Sequence, residues 1–404
     1  MRPSCERAKE RPVQRGAIAC FSGRDSCRCV RPSSLTLVDA AARGDRTQKT
    51  LAGSNHLTRT ASPSALNSPQ RIPVFSETAR GKAQTMKSVA ILIACVGLFT
   101  THSVSAQDEL PLTSLVPASP EFGFHYPYLL RRPTTSEDDE QKWLIVETNN
   151  SGVATDDFDV HLKAARDATE RGVGAFAANR LEFPLLVPAF PRPGGARRNV
   201  YTHALDSDSL AIASGPMKRL DLQLLAMIDD AAKRLRISGI NVHHKVLMVG
   251  FSASATFANR FSMIHPDRIK AIAVGGFNGI LMLPVKTLAD TELPYPLGLS
   301  DFESRFGEPF DRVAWRTIPQ FAFMGEDDTN DAVQFDDAYS DDDRLRVYSL
   351  MGKSTQPERW GLVQRIYKES GADFESVTYP HVAHATDGRI DTDIVDFLKG
   401  SVAP

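Results

Sequence analysis

Past Ala106 the chain has no cysteine; all five, Cys5, Cys20, Cys27, Cys29 and Cys95, come before it. Disulfides, thiolate catalysis and cysteine-held metals are therefore excluded for that part. It also lacks an apolar run of the roughly 20 residues that a spanning helix needs. Glycine-rich phosphate loops, zinc-ligand clusters and EF-hand spacing are absent too, as is a basic face suited to nucleic acid. The run Asp336, Asp337, Asp341, Asp342 and Asp343 is accordingly read as a solvated acidic loop and not as a cation site. No metal, cofactor, nucleic-acid partner or membrane span is expected, and nothing in the sequence speaks to oligomeric state.

Charge is distributed unevenly over the 404 residues. The first 85 carry 15 Lys and Arg against six acids, whereas the remainder is acidic. That first segment has no sustained helical or strand period and is rich in Arg, Ser and Pro, so it is expected to be disordered, or an over-extended reading frame whose native start is Met86. Met86-Lys87, the apolar run Val89 to Phe99 and the small residues up to Ala106 have the form of a signal peptide over 86–106, which predicts a secreted or periplasmic protein. A second possibility is a lipoprotein anchored at Cys95, within Leu92-Ile-Ala-Cys95. Residues 107–122 read as a linker.

From residue 123 onward strands alternate with helices. Strand signals lie at Phe124 to Arg131 and Trp143 to Glu147, which form a plausible antiparallel opening pair, and then at Phe183 to Val187, Lys245 to Gly250, Ile269 to Val274, Ile318 to Met324 and Phe374 to Tyr379. Helical spacing marks Asp157 to Arg171, Met217 to Ile237, a segment ending near Ile264, Arg359 to Glu369 and Ile390 to Lys399. This alternation predicts an α/β fold, a mostly parallel sheet with helices on both faces and functional loops at the strand C-terminal ends. Between about 277 and 317 the rhythm lapses in a Pro-, Leu- and Phe-containing stretch, read as a cap-like insertion.

Three loops carry chemistry-bearing residues. Gly250-Phe-Ser-Ala-Ser254 follows one strand and opens a helix. It matches G-x-S-x-G except that Ser254 replaces the second glycine, and a sharp turn of this kind exposes a nucleophilic serine, here Ser252. Gly325-Glu-Asp-Asp328 follows a later strand and Pro380-His-Val-Ala-His384 the last one, so the order Ser, Asp, His fits a hydroxyl nucleophile, an orienting acid and a histidine base. His243 and His244 precede the nucleophile strand at the wrong end and read as surface residues. Phe190, Phe251, Phe277 and Trp315 are candidates to line a pocket, although aromatics near a sheet edge more often belong to the core.

In these three loops the chain resembles the α/β-hydrolases, and more loosely the secreted polyhydroxybutyrate depolymerases and esterases among them. The resemblance implies Asp328 over Asp327, from a G-x-x-D pattern, and His384 over His381, from a small residue before the histidine. It also implies acyl transfer to Ser252, without cofactor, from a small or polymeric carboxylic ester. The oxyanion would be held by the N–H of Ala253 and by a second donor from the Asn149 to Gly152 loop, Asn150 or Ser151. A peptidase or amidase would use the same triad, and a non-catalytic binding protein retaining the fold would dock a partner through the 277–317 segment.

Overall fold

The computed structural model describes residues 112–134, 140–335 and 338–403. The basic segment 1–85, the expected signal peptide 86–106 with Cys95, and residues 107–111 of the expected linker lie outside them. Ten strands are present among the described residues. β1 (Thr113–Val116), β2 (Tyr128–Arg131), β3 (Ile145–Glu147), β4 (Leu185–Pro188), β5 (Val246–Phe251), β6 (Ile269–Gly275), β9 (Gln320–Gly325) and β10 (Phe374–Tyr379) form one sheet, and β7 (Thr287–Leu288) and β8 (Thr291–Glu292) form a separate hairpin. The helices are α1 (Phe158–Arg171), α2 (Val173–Leu181), α3 (Ser207–Leu210), α4 (Leu220–Ile237), α5 (Ala253–Ile264), α6 (Phe302–Phe306), α7 (Arg312–Arg316), α8 (Asp341–Arg346), α9 (Trp360–Glu369) and α10 (Gly388–Val402).

The sheet order is β1-β2-β4-β3-β5-β6-β9-β10. β2 runs antiparallel to both neighbours, and every pair from β4 to β10 is parallel. Two expectations are corrected here. β2 pairs with β1 and β4, not with β3, because β3 is already parallel to β4 and β5 on its two edges. Thr113 to Val116, within the segment read as linker, forms β1 and extends the sheet by pairing with β2; a four-residue edge strand with only Val116 buried carries too little periodicity to be seen in isolation.

The central strands are buried on both faces, which is why they read as unbroken apolar runs. Along β5, Val246 and Met248 enter the core shared with α4, α5 and α9, while Leu247 and Val249 enter the core shared with α1, α2 and α10. Each helix contributes one stripe to its core. In α1 that stripe is His161, Ala165 and Thr169, polar at two of three positions. The 277–317 segment packs inward: Phe277, Leu281, Leu283, Leu293, Tyr295 and Leu297 all belong to the α4/α5/α9 core. Its apolar richness therefore reflects burial.

Parallel register aligns the C-terminal ends of the central strands along one edge. Phe251 of β5 lies opposite Gly275 of β6, and Tyr379 of β10 opposite Gly325 of β9. The loops that leave these ends carry the residues picked out from the sequence.

Candidate active site

Ser252 stands between the end of β5 and the first turn of α5 with φ 62° and ψ −129°, a positive-φ conformation that a side chain occupies only when its surroundings enforce it. The enforcement is visible. A Cβ at Gly250 would lie 2.6 Å from the backbone of Ser254, so only glycine lets the strand pass this close under the helix. Ser254, at the position of the missing second glycine, turns its hydroxyl back onto the turn: Oγ accepts from the Phe251 N–H at 2.9 Å and donates to the Phe251 carbonyl at 2.9 Å. The departure from the motif thus adds a clamp across the turn. The Ser252 N–H donates to the Gly275 carbonyl at 3.0 Å, which ties the turn to β6.

Asp328 and His384 meet. His384 Nδ1 is 3.0 Å from Asp328 Oδ2, and the other oxygen, Oδ1, accepts the Asn330 N–H at 2.9 Å. Asp328 is 2% exposed. Asp327 and His381, the alternatives left by the sequence, are both exposed. Phe251 covers the imidazole with ring centroids 4.8 Å apart, which brings His384 to the turn that carries Ser252. Among the described residues no hydrogen bond joins Ser252 Oγ to His384, and such contacts commonly tighten only in the substrate complex.

The Asn149 to Gly152 loop faces Ser252 across a pocket of about 480 Å³ that both Asn150 and Ser151 line. The loop is held from behind by residues for which the sequence carries little signal. Asn149, fully buried, accepts the Phe190 N–H at 3.0 Å and donates to the Phe190 carbonyl at 2.9 Å. His161 Nδ1 is 3.2 Å from Ser151 Oγ, and His203 Nε2 donates to the Phe190 carbonyl at 2.8 Å. Burial pushes the His203 imidazole down to about 3, so it is neutral at physiological pH. A polar residue on the inward stripe of α1 was the one available hint for His161. Ala253, the third oxyanion candidate, starts α5, where the amides of a helix's first turn have no intrahelical acceptor. Of the four aromatics considered for the pocket, Phe251 lines it, whereas Phe190, Phe277 and Trp315 are fully buried.

The strand order, the antiparallel β2 and the nucleophile-type turn after β5 together settle the architecture. The fold is that of the α/β-hydrolases. No family model matches the chain, and no curated protein does. Among solved structures the chain is similar to poly(aspartic acid) hydrolase-1 from Sphingomonas sp. KT-1, with 15% identity, coverage of 71% of this chain and 98% of that one, and a TM-score of 0.45. It is also similar to the poly(3-hydroxybutyrate) depolymerase LpqC from Bordetella parapertussis, with 18% identity, 69% and 86% coverage and a TM-score of 0.43. An S-formylglutathione hydrolase from Agrobacterium tumefaciens shares 13% identity over 72% of this chain and 93% of that one, with a TM-score of 0.40.

A buried acid outside the Ser, Asp, His set also reaches this pocket. Glu147, the last residue of β3, is 5% exposed and lines the same pocket as Ser252. Burial pushes its carboxyl up to about 8, against the lowering effect of the Gly174 N–H that donates to Oε2 at 2.8 Å. The charged groups on the neighbouring wall, Lys163, Asp167 and Arg171 of α1, are paired among themselves at 2.6 Å. Below the ordinary glutamate value both folded and unfolded chains hold the proton. Above it the unfolded chain releases the proton while the folded one keeps it up to about pH 8, so stability falls by up to roughly 1.4 kcal/mol per pH unit across that window. Glu147→Gln is therefore expected to match wild type near pH 4 and to exceed it increasingly toward pH 8. Urea denaturation at a series of pH values checks this, and a gap that stays constant with pH would contradict a raised Glu147.

Proposed function

We propose that this protein is a serine hydrolase that cleaves carboxylic esters through Ser252, His384 and Asp328. The observation that carries the reading is the 3.0 Å contact between His384 Nδ1 and buried Asp328 Oδ2, made at the sheet edge where the positive-φ turn presents Ser252. In this mechanism His384 Nε2 takes the proton of Ser252 Oγ as the oxygen attacks the ester carbonyl. The N–H of Ala253 and one from Asn150 or Ser151 hold the developing oxyanion. His384 then returns the proton to the leaving alcohol, and water, activated by the same imidazole, releases the acid from the acyl-enzyme. Asp328 orients the imidazole and stabilises its charged form. Small and polymeric esters are both compatible with an open pocket. The signal-like run Val89 to Phe99 supports export, to the periplasm or the medium.

A fluorophosphonate probe tests the nucleophile directly. Wild type is expected to be labelled and Ser252→Ala is not; equal labelling of both would end the serine-hydrolase reading.

A further inference from the structure

The pocket beside Ser252 has a polar floor that the acyl-transfer chemistry does not use. Glu147 and Thr148 sit side by side where β3 ends, are 5% and 2% exposed, and both line the pocket. Glu147 Oε2 takes the Gly174 N–H, but Oε1 has no hydrogen-bond partner among the described residues. Thr148 Oγ1 is buried with no partner either. A buried polar atom left unsatisfied, as Thr148 Oγ1 is, costs of order 1–3 kcal/mol, and such a group calls for an explanation. The fold also makes room for the carboxyl. A Cβ on Gly172 or Gly174, at the start of α2, would fall within 2.8 Å of a Glu147 carboxyl oxygen.

We propose that Glu147 and Thr148 form a subsite for an uncharged hydrogen-bonding group of the substrate, a hydroxyl or an amide, beyond the scissile ester. The subsite rests on the ester-hydrolase reading of Ser252. With Oε2 occupied as an acceptor, the carboxyl proton resides on Oε1, which donates into the pocket, and Thr148 Oγ1 completes the pair by accepting from or donating to the same group. A neutral carboxyl attracts a cationic group weakly, and Lys163 and Arg171 on the wall share the single carboxylate of Asp167, an excess of positive charge that disfavours a cation further. At about 480 Å³ the space is within the range of small-molecule sites. The amide of Asn150 and the hydroxyl of Thr386, which also line it beside the apolar Val160, Ala164 and Val173, offer a polar group further partners.

Two series of esters of matched length test the proposal: p-nitrophenyl esters whose acyl tails end in methyl, hydroxyl, primary amide or ammonium, and acetate esters whose alcohol tails carry the same ends. Wild type is expected to prefer the hydroxyl or amide end over methyl in kcat/KM in one series at least. Thr148→Val is expected to lower that preference about fivefold while leaving Tm unchanged or higher, because Thr148 Oγ1 gives up no intramolecular bond. Glu147→Met is expected to lower it similarly, and Glu147→Gln, whose amide keeps both the acceptor and the donor, to preserve it. No preference in either series, a preference for the ammonium end, or variants that lose Tm with the preference intact would overturn the subsite. Fluorophosphonate labelling of each variant separates the two readings: labelling without preference removes the subsite alone, and absence of labelling in wild type removes the nucleophile as well.

Discussion

Ser252→Ala is expected to lower turnover of short p-nitrophenyl esters on the order of a millionfold, the scale seen when the nucleophile is removed from a working triad. The loss comes from chemistry and not from folding. The Ser252 side chain makes no hydrogen bond among the described residues, and the contact that ties the turn to β6 belongs to its backbone N–H. The Ser254 clamp on Phe251 is equally untouched. Alanine therefore keeps the turn, and Tm should stay close to wild type. What remains is whatever the oxyanion donors and substrate binding provide without a nucleophile, a residue of activity on the order of a thousandfold over water. A rate within tenfold of wild type, in protein of unchanged Tm, would mean that the hydrolysis proceeds elsewhere.

Asp328→Asn is expected to cost about four orders of magnitude in kcat. The carboxylate accepts from His384 Nδ1 on one oxygen and from the Asn330 N–H on the other. With the Asn330 N–H holding the amide oxygen, asparagine would turn its NH₂ toward Nδ1, favouring the tautomer that places the imidazole proton on Nε2. That is the wrong nitrogen for a base that must take a proton from Ser252. Asp327→Asn, on an exposed side chain, is expected to change kcat by less than about threefold, in line with the small effects of most surface substitutions. Parallel kcat measurements on one p-nitrophenyl ester, with Tm as a folding control, give the ranking, and the reverse order would transfer the orienting role by one position.

Much of this arrangement was legible because its signals are local. The turn at Gly250 to Ser254 is defined by five neighbouring residues whose conformation is set by a glycine under a helix, and β10 and α1 come where the strand signal and the helical spacing place them. The loops of Asp328 and His384 each follow a strand, so a parallel sheet suffices to bring them to one edge. The pairing of β2 was misread because an antiparallel partner is chosen by the whole sheet, and β1 was missed because an exposed four-residue edge strand has almost no pattern of its own.

The sequence by itself determined the alternation of strands and helices, the Ser, Asp, His order and the sharp turn at Ser252, since each is encoded in contiguous residues with a fixed period or a backbone requirement. Only the tertiary structure decided that Asp328 and not Asp327 reaches His384, because adjacent acids differ by which one the β9 loop turns inward. It alone showed that Ser254 braces the turn it departs from, and that Asn149 and His161 support the Asn150–Ser151 loop from α1 and the β4 end. It also turned Glu147 from the last letter of a strand into a buried floor of the pocket whose carboxyl is pushed up by desolvation, because burial depends on what α2 lays against it and on two glycines some 25 residues away.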